Sequence, residues 1–90
     1  IPHKHEIHSN YPNPFNPSTH LPIYLHKPSQ VKLAIHDLNG RLIETHDFSI
    51  LSLGQHEFYL NFSHLSSGIY FYQFTIDKQA HGAMKMILLK

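Results

Sequence analysis

The sequence predicts an all-β domain, a two-sheet antiparallel sandwich of about seven strands. Three observations lead there. Gly40, Gly54, Gly68 and Gly82 each stand 14 residues after the last, a spacing with room for a strand of about 6 to 8 residues and a turn. The segments between them are rich in β-branched and aromatic residues that alternate at period two, the repeat that puts one set of side chains on one face of a strand. All six prolines fall within the first 28 residues, so a stiff stretch leads into a punctuated body.

Along the chain, residues 1–9 read as a linker or a first edge strand around Glu6 to His8, and residues 10–90 as the domain proper. Asn10 to Thr19 carries Pro12, Pro14 and Pro17, each biasing its predecessor away from the α region, and forms a rigid lead-in whose Phe15 plugs the end of the sandwich. Leu21, Ile23 and Leu25 mark one half-buried strand, and Val31, Leu33 and Ile35 the next. Asp37-Leu38-Asn39-Gly40 then closes a tight hairpin, because the Asn-Gly pair tolerates positive φ, into a strand from about Arg41 to His46. A strand from about His56 to Phe62 points Phe58, Leu60 and Phe62 one way. Ser66-Ser67-Gly68 turns the chain into Ile69 to Ile76, and the last strand runs from about Gly82 to Leu89. The expected core is Leu21, Ile23, Leu25, Val31, Leu33, Ile35, Phe58, Leu60, Tyr70, Tyr72 and Phe74.

Composition removes several function classes. Hydrophobic residues make up 41% and charged residues 14%, too apolar and too weakly charged for disorder, yet no uncharged apolar run is long enough for a transmembrane helix. Seven Lys and Arg against six Asp and Glu leave a formal charge of +1, which gives no field to steer the chain to nucleic acid or an anionic membrane. The absence of cysteine excludes a disulfide framework and thiolate metal sites. Ile1 in place of Met, with no targeting segment, makes the chain read as a piece of a larger precursor. No Gly-x-Ser-x-Gly, phosphate-cradling loop or His-Glu-x-x-His occurs, Asp37 is explained by the turn it starts, and a small sandwich offers little volume for a cleft. The expectation is a protein that is not an enzyme and needs no cofactor.

Ten histidines in 90 residues is well above ordinary usage. His3, His5 and His8 form a loose candidate site for Zn²⁺, Ni²⁺ or Cu²⁺, since alternate strand residues share a face and imidazole suits these metals. Against it, the segment is terminal and Glu6 is its one acidic neighbour, so weak adventitious binding competes. His20, His26, His36, His46 and His56 read as scattered over surface strands.

Five blocks occur in order along nearly the whole chain: the proline-rich Asn10 to Thr19, Val31 to Arg41, Gly54-Gln55-His56, Leu65 to Tyr72, and Lys85 to Lys90. In these the chain resembles the type IX secretion system C-terminal sorting domains, also called Por secretion system type A sorting domains. It is more loosely similar to the immunoglobulin-like domain of the flagellar hook-capping protein. The departures are His36 where the family usually has tyrosine, His26 in place of a frequent proline, and no Trp-Asp-Gly hairpin after His56. The resemblance implies an immunoglobulin-like β-sandwich at the C-terminus of secreted proteins of Bacteroidetes and relatives. Such a module is non-catalytic, follows an upstream cargo domain, and is recognised by the outer-membrane secretion machinery on its way to the cell surface or medium. The alternative is a structural or adhesive module retained on the mature extracellular protein, with homotypic assembly as one of its uses.

The family's recognition blocks map onto Gly68, Tyr70 and Lys85 to Lys90. Each has a plainer explanation: Gly68 as a turn residue, Tyr70 as a core aromatic whose hydroxyl ties a corner, Lys85 and Lys90 as solvated charges guarding an edge. Alternation adds Phe71 and Ile87. With Tyr70, Tyr72 and Phe74 facing inward, Ile69 and Phe71 lie on the outer face, and pairing with the last strand would join them to Ile87 and Leu89 in one apolar stripe edged by Lys85 and Lys90. The candidate recognition set is therefore Gly68, Tyr70, Phe71, Lys85, Ile87 and Lys90.

Overall fold

The computed structural model describes residues 5–90. Its strands are β1 (Glu6–Ile7), β2 (Ser18–Leu25), β3 (Ser29–Asp37), β4 (Leu42–Leu51), β5 (Gly54–Asn61), β6 (Gly68–Ile76), β7 (Gln79–Ala80) and β8 (Met84–Leu88). They form two antiparallel sheets, one in the order β1-β2-β5, the other β4-β3-β6 with β7 and β8 both on the far side of β6. β4 pairs with β3 in the larger sheet, whereas the constant-type immunoglobulin arrangement seats the fourth strand beside the fifth.

Period-two alternation decides what lies between the sheets. Thr19, Leu21, Ile23 and Leu25 of β2 are buried while their neighbours are half-exposed, and the same alternation buries Val31, Leu33 and Ile35 of β3 and Tyr70, Tyr72, Phe74 and Ile76 of β6. Phe15, Leu60, Phe62, Met86 and Leu88 complete the core. Of the residues expected inside, Phe58 alone is half-buried. It sits at the sandwich margin, stacked on Phe48 with ring centroids 4.2 Å apart and tilted against Phe74 at 5.6 Å, because β4 is an edge strand with nothing beyond it to cover the pair.

Local turn chemistry sets the strand limits. Gly40 takes φ 84° while Asn39 stays out of the left-handed region. Gly40 N–H donates to Asp37 O at 3.0 Å and the Asp37 carboxylate accepts the N–H groups of Asn39 and Arg41, both at 2.9 Å, so the β3–β4 hairpin forms where expected but closes through Asp37 and Gly40 rather than through a positive-φ Asn-Gly pair. β4 continues to Leu51, well past the expected His46, because a register shift between Gln30 and Lys32 absorbs one extra β4 residue. Ser49 holds φ 61° there, and its N–H donates to the Asp47 carboxylate. β7 lies outside the sequence expectation, and β8 begins at Met84 rather than Gly82.

The proline-rich lead-in is more than a linker. The Tyr11 and His20 backbones exchange hydrogen bonds at 3.0 and 2.8 Å, tying it to β2, and Phe15 N–H donates to Ile87 O and accepts Leu89 N–H at its carbonyl, each at 2.9 Å, tying it to the edge of β8. Phe15 itself turns into the core beside Phe62. Asn10 is 3% exposed; its N–H donates to the Tyr72 hydroxyl at 3.0 Å and its side-chain amide donates to Thr19 Oγ1 at 3.0 Å. The lead-in thus closes one side of the sandwich by bonding to both sheets, and Phe15 plugs it as the sequence predicts.

Candidate functional site

In the β6–β8 ladder Ile69 stands opposite Ile87 and Phe71 opposite Lys85, while β3 places His36 on the other side of Phe71. Cross-strand partners share a face, so Ile69, Phe71, His36, Lys85 and Ile87 lie together on the outer face of the larger sheet. Ile69, Phe71 and Ile87 are half-buried, and Leu89 beyond them is 54% exposed. Lys85 enters no ion pair among the described residues.

The other members of the expected set sit elsewhere. Tyr70 points inward, and its hydroxyl donates to Ser66 O at 2.7 Å, a tie four residues back of the tyrosine-corner kind. Gly68 pairs with Leu88 without a left-handed φ, and a Cβ there would meet Tyr70 at an ordinary 3.9 Å; no turn conformation requires glycine at this position. Lys90 is held, its N–H by Ser67 Oγ at 2.9 Å and its ammonium by Ser63 O at 2.6 Å.

Among the described residues His5 and His8 turn to different partners. His3 lies outside the described residues. His5 stacks on His26 with centroids 4.3 Å apart and meets His81 edge-on at 6.3 Å, while His8 lies 3.6 Å from Glu6. Three residues apart, His5 and His8 fall on opposite faces of an extended strand. The Nδ1 lone pair of His5 takes the His26 N–H at 3.3 Å, and among the described residues no three His, Asp or Glu side chains are placed to hold a metal ion. Burial, followed by the neighbouring imidazoles of His26 and His81, pulls the His5 pKa below its usual value. His20, His26, His36, His46 and His56 are each half-buried, His20, His36, His46 and His56 on four different strands and His26 just after β2.

The volume objection to catalysis is weaker than the sequence implies, since the surface carries open grooves of about 400 and 440 Å³. Their content is what argues against hydrolysis by paired carboxylates. One has Asp47 as its single acid and the other Asp77. Among the described residues no helix is long and apolar enough to cross a membrane.

A profile of the family described as the secretion system C-terminal sorting domain matches residues 9–89. Comparison with curated proteins gave no match. Among solved structures, Pseudomonas fluorescens alkylpurine DNA glycosylase AlkC, bound to DNA containing an abasic site analog, is similar over 97% of this chain and 31% of that chain, with TM-score 0.63 and 14% identity. That likeness is one of fold, and the chain spans under a third of that protein's length. The family match runs from just before the lead-in, through the Tyr70 corner, to the end of the C-terminal strand. The chain belongs to the secretion system C-terminal sorting domain family, the non-catalytic signals of type IX secretion that mark proteins for export to the cell surface or medium.

Proposed function

We propose that this domain sorts and anchors a larger exported protein, following an upstream cargo domain and presenting the outer face of β6 and β8 to the outer-membrane secretion machinery. The observation that carries the reading is the in-register stripe in which Ile69 faces Ile87 and Phe71 faces Lys85. A small domain gains nothing from keeping apolar side chains half-exposed on a strand pair whose inner face already fills the core, and such patches mark contact surfaces. Lys85 supplies an unpaired charge at its rim. Tyr70 and Lys90 act through the fold, holding the β5–β6 loop and the chain end against the sandwich.

The test is export of a reporter fused ahead of the domain in a host with the type IX system, comparing the native domain with Phe71→Thr/Ile87→Thr. Threonine keeps the strand preference of these positions, so the double variant melts as a folded domain. Loss of export with folding retained is the expected result. Normal export would move recognition elsewhere, to the Lys85 to Lys90 tail itself. Normal export followed by retention of the whole domain on the mature product would favour the structural or adhesive module.

A further inference from the structure

The outer face of the smaller sheet has a composition of its own. Among the described residues every Lys and Arg lies outside β1, β2 and β5, whereas Glu6 and Glu57 lie within them. The β2–β5 register sets His20 opposite Tyr59 and Pro22 opposite Glu57, and the lead-in adds Tyr11 beside His20. Tyr11 stacks on His20 with centroids 5.2 Å apart, and Tyr59 meets the same imidazole edge-on at 5.3 Å, making a row of three rings. The outer two are open to solvent, Tyr11 at 48% and Tyr59 at 60% exposure.

Hydrogen bonds fix the row in advance. The Tyr11 hydroxyl donates to Glu57 Oε2 at 2.6 Å, His20 Nδ1 lies 3.0 Å from Glu57 Oε1, and the Tyr59 hydroxyl donates to Ser18 Oγ at 2.6 Å. The bond to Glu57 also holds the Tyr11 phenol above its usual pKa, so it stays a neutral donor. A carboxylate offers about four lone-pair positions, so Glu57 keeps acceptor capacity after these two contacts. Aromatic faces carry negative potential and attract cations. The face therefore combines rigid exposed rings, a carboxylate with lone pairs to spare and, among the described residues, no Lys or Arg on its strands.

We propose that this face docks an arginine side chain of an extended segment in a partner protein, the guanidinium lying over a tyrosine ring and donating to Glu57. A guanidinium meets both features at once, being planar enough to stack and forked to match a carboxylate, whereas an ammonium offers a point charge. The charge segregation selects this occupant over a neutral sugar, which would use the rings and leave the carboxylate without a counter-charge. Because the side chains are already held in place, docking costs little ordering. The surface belongs to the opposite sheet from the β6–β8 stripe and does not rest on the sorting reading.

The test titrates the 90-residue chain with a capped Gly-Arg-Gly-Arg-Gly peptide and follows amide and aromatic NMR shifts. The expected shifts fall on Tyr11, His20, Glu57 and Tyr59. The citrulline peptide, planar but uncharged, binds about fivefold more weakly or worse, as does the arginine peptide to Glu57→Gln. Tyr59→Ser, at an exposed position, gives a second readout should Glu57→Gln fail to fold, and Lys32→Ala, exposed on β3 of the other sheet, binds as the native chain does. Raising salt weakens the complex, as for any exposed ion pair. Equal binding of the citrulline peptide, shifts confined to the larger sheet, or a neutral glucan oligosaccharide binding this face more tightly than the arginine peptide would each overturn the proposal.

Discussion

Replacing Tyr72 with Phe removes one oxygen from the middle of the domain and leaves the packing alone. The ring is 0% exposed, and its hydroxyl accepts Asn10 N–H at 3.0 Å and donates to His8 O at 3.1 Å. Phenylalanine keeps the buried ring, so no cavity opens. The bond to His8 contributes about 0.5 to 1.5 kcal/mol net, and the Asn10 N–H, left buried without a partner, costs about 1 to 3 kcal/mol more. The total of roughly 2 to 4 kcal/mol is a large part of the 5 to 13 kcal/mol or so that holds a chain of this length, and corresponds to a fall in melting temperature of roughly 8 °C or more. Calorimetry reads the fall, and native-state hydrogen exchange locates it: the Asn10 amide loses protection first, followed by Phe15, whose N–H bond to Ile87 depends on the lead-in staying down. A melting temperature within about 2 °C of the native value, with the Asn10 amide still protected, would show that the hydroxyl does not hold the lead-in.

Leu33→Ala, at a residue 1% exposed between Phe74 and His46 in the centre of the larger sheet, should cost about 2 to 5 kcal/mol in urea denaturation; an unchanged midpoint would put β3 in the wrong facing. For pH, the His5 pKa is lowered mainly by burial, so the stability tied to its neutral form is complete above the unfolded value of about 6.5 and is lost as pH falls through the lower folded value. Asp37 and Asp77 are lowered chiefly by the N–H groups of Arg41 and Gln30, so their contribution holds above the unfolded value of about 4 and is lost further down. Denaturant midpoints should be level from about pH 8 to 7, lower at about 5.5, and lower again near 3; equal midpoints at about 8 and 5.5 would dispose of the His5 term.

What the sequence makes legible is whatever side-chain periodicity or turn chemistry encodes locally. β2 and β3 declare themselves because apolar residues alternate with others along the strand, and β6 by its run of aromatic and β-branched residues, while the β3–β4 hairpin is announced by Gly40, which takes the positive φ the turn needs. The far half of β4 is illegible because Ser49 reaches φ 61° with no glycine to announce it. β7 is illegible for the same reason: Asp77 and Lys78 take φ 50° and 68° at the tip of the β6–β7 hairpin, a primed turn with Lys78 where glycine is usual. The site divides likewise. Alternation finds Phe71 and Ile87, but the gathering of Tyr11, His20, Glu57 and Tyr59 depends on the β2–β5 register, and that of His5, His26 and His81 on the residue before β1 meeting the β2–β3 and β7–β8 connections. Neither has a local signature.

The most consequential contacts that the sequence conceals join the two ends of the chain. Asn13 accepts Ile87 N–H at its side chain, Phe15 bonds to Ile87 and Leu89 through its backbone, and Lys90 returns to Ser63 and Ser67. Most of these bonds meet a main-chain group of β8 or of the residues just after it, which any residue there would supply, so the side-chain pattern of the last strand does not record them. Their effect is that β8 has the lead-in as its outer neighbour. Without the lead-in β8 becomes an open edge, the place of Phe15 beside Phe62 and Leu88 empties, and the strand that contributes Lys85 and Ile87 to the outer stripe loses the partner that fixes its position. The stripe therefore depends on residues that contribute no side chain to it. On the sorting reading proposed above, a surface built this way exists only after the first and last segments of the domain have met, so what the secretion machinery reads is a finished fold rather than a linear tail.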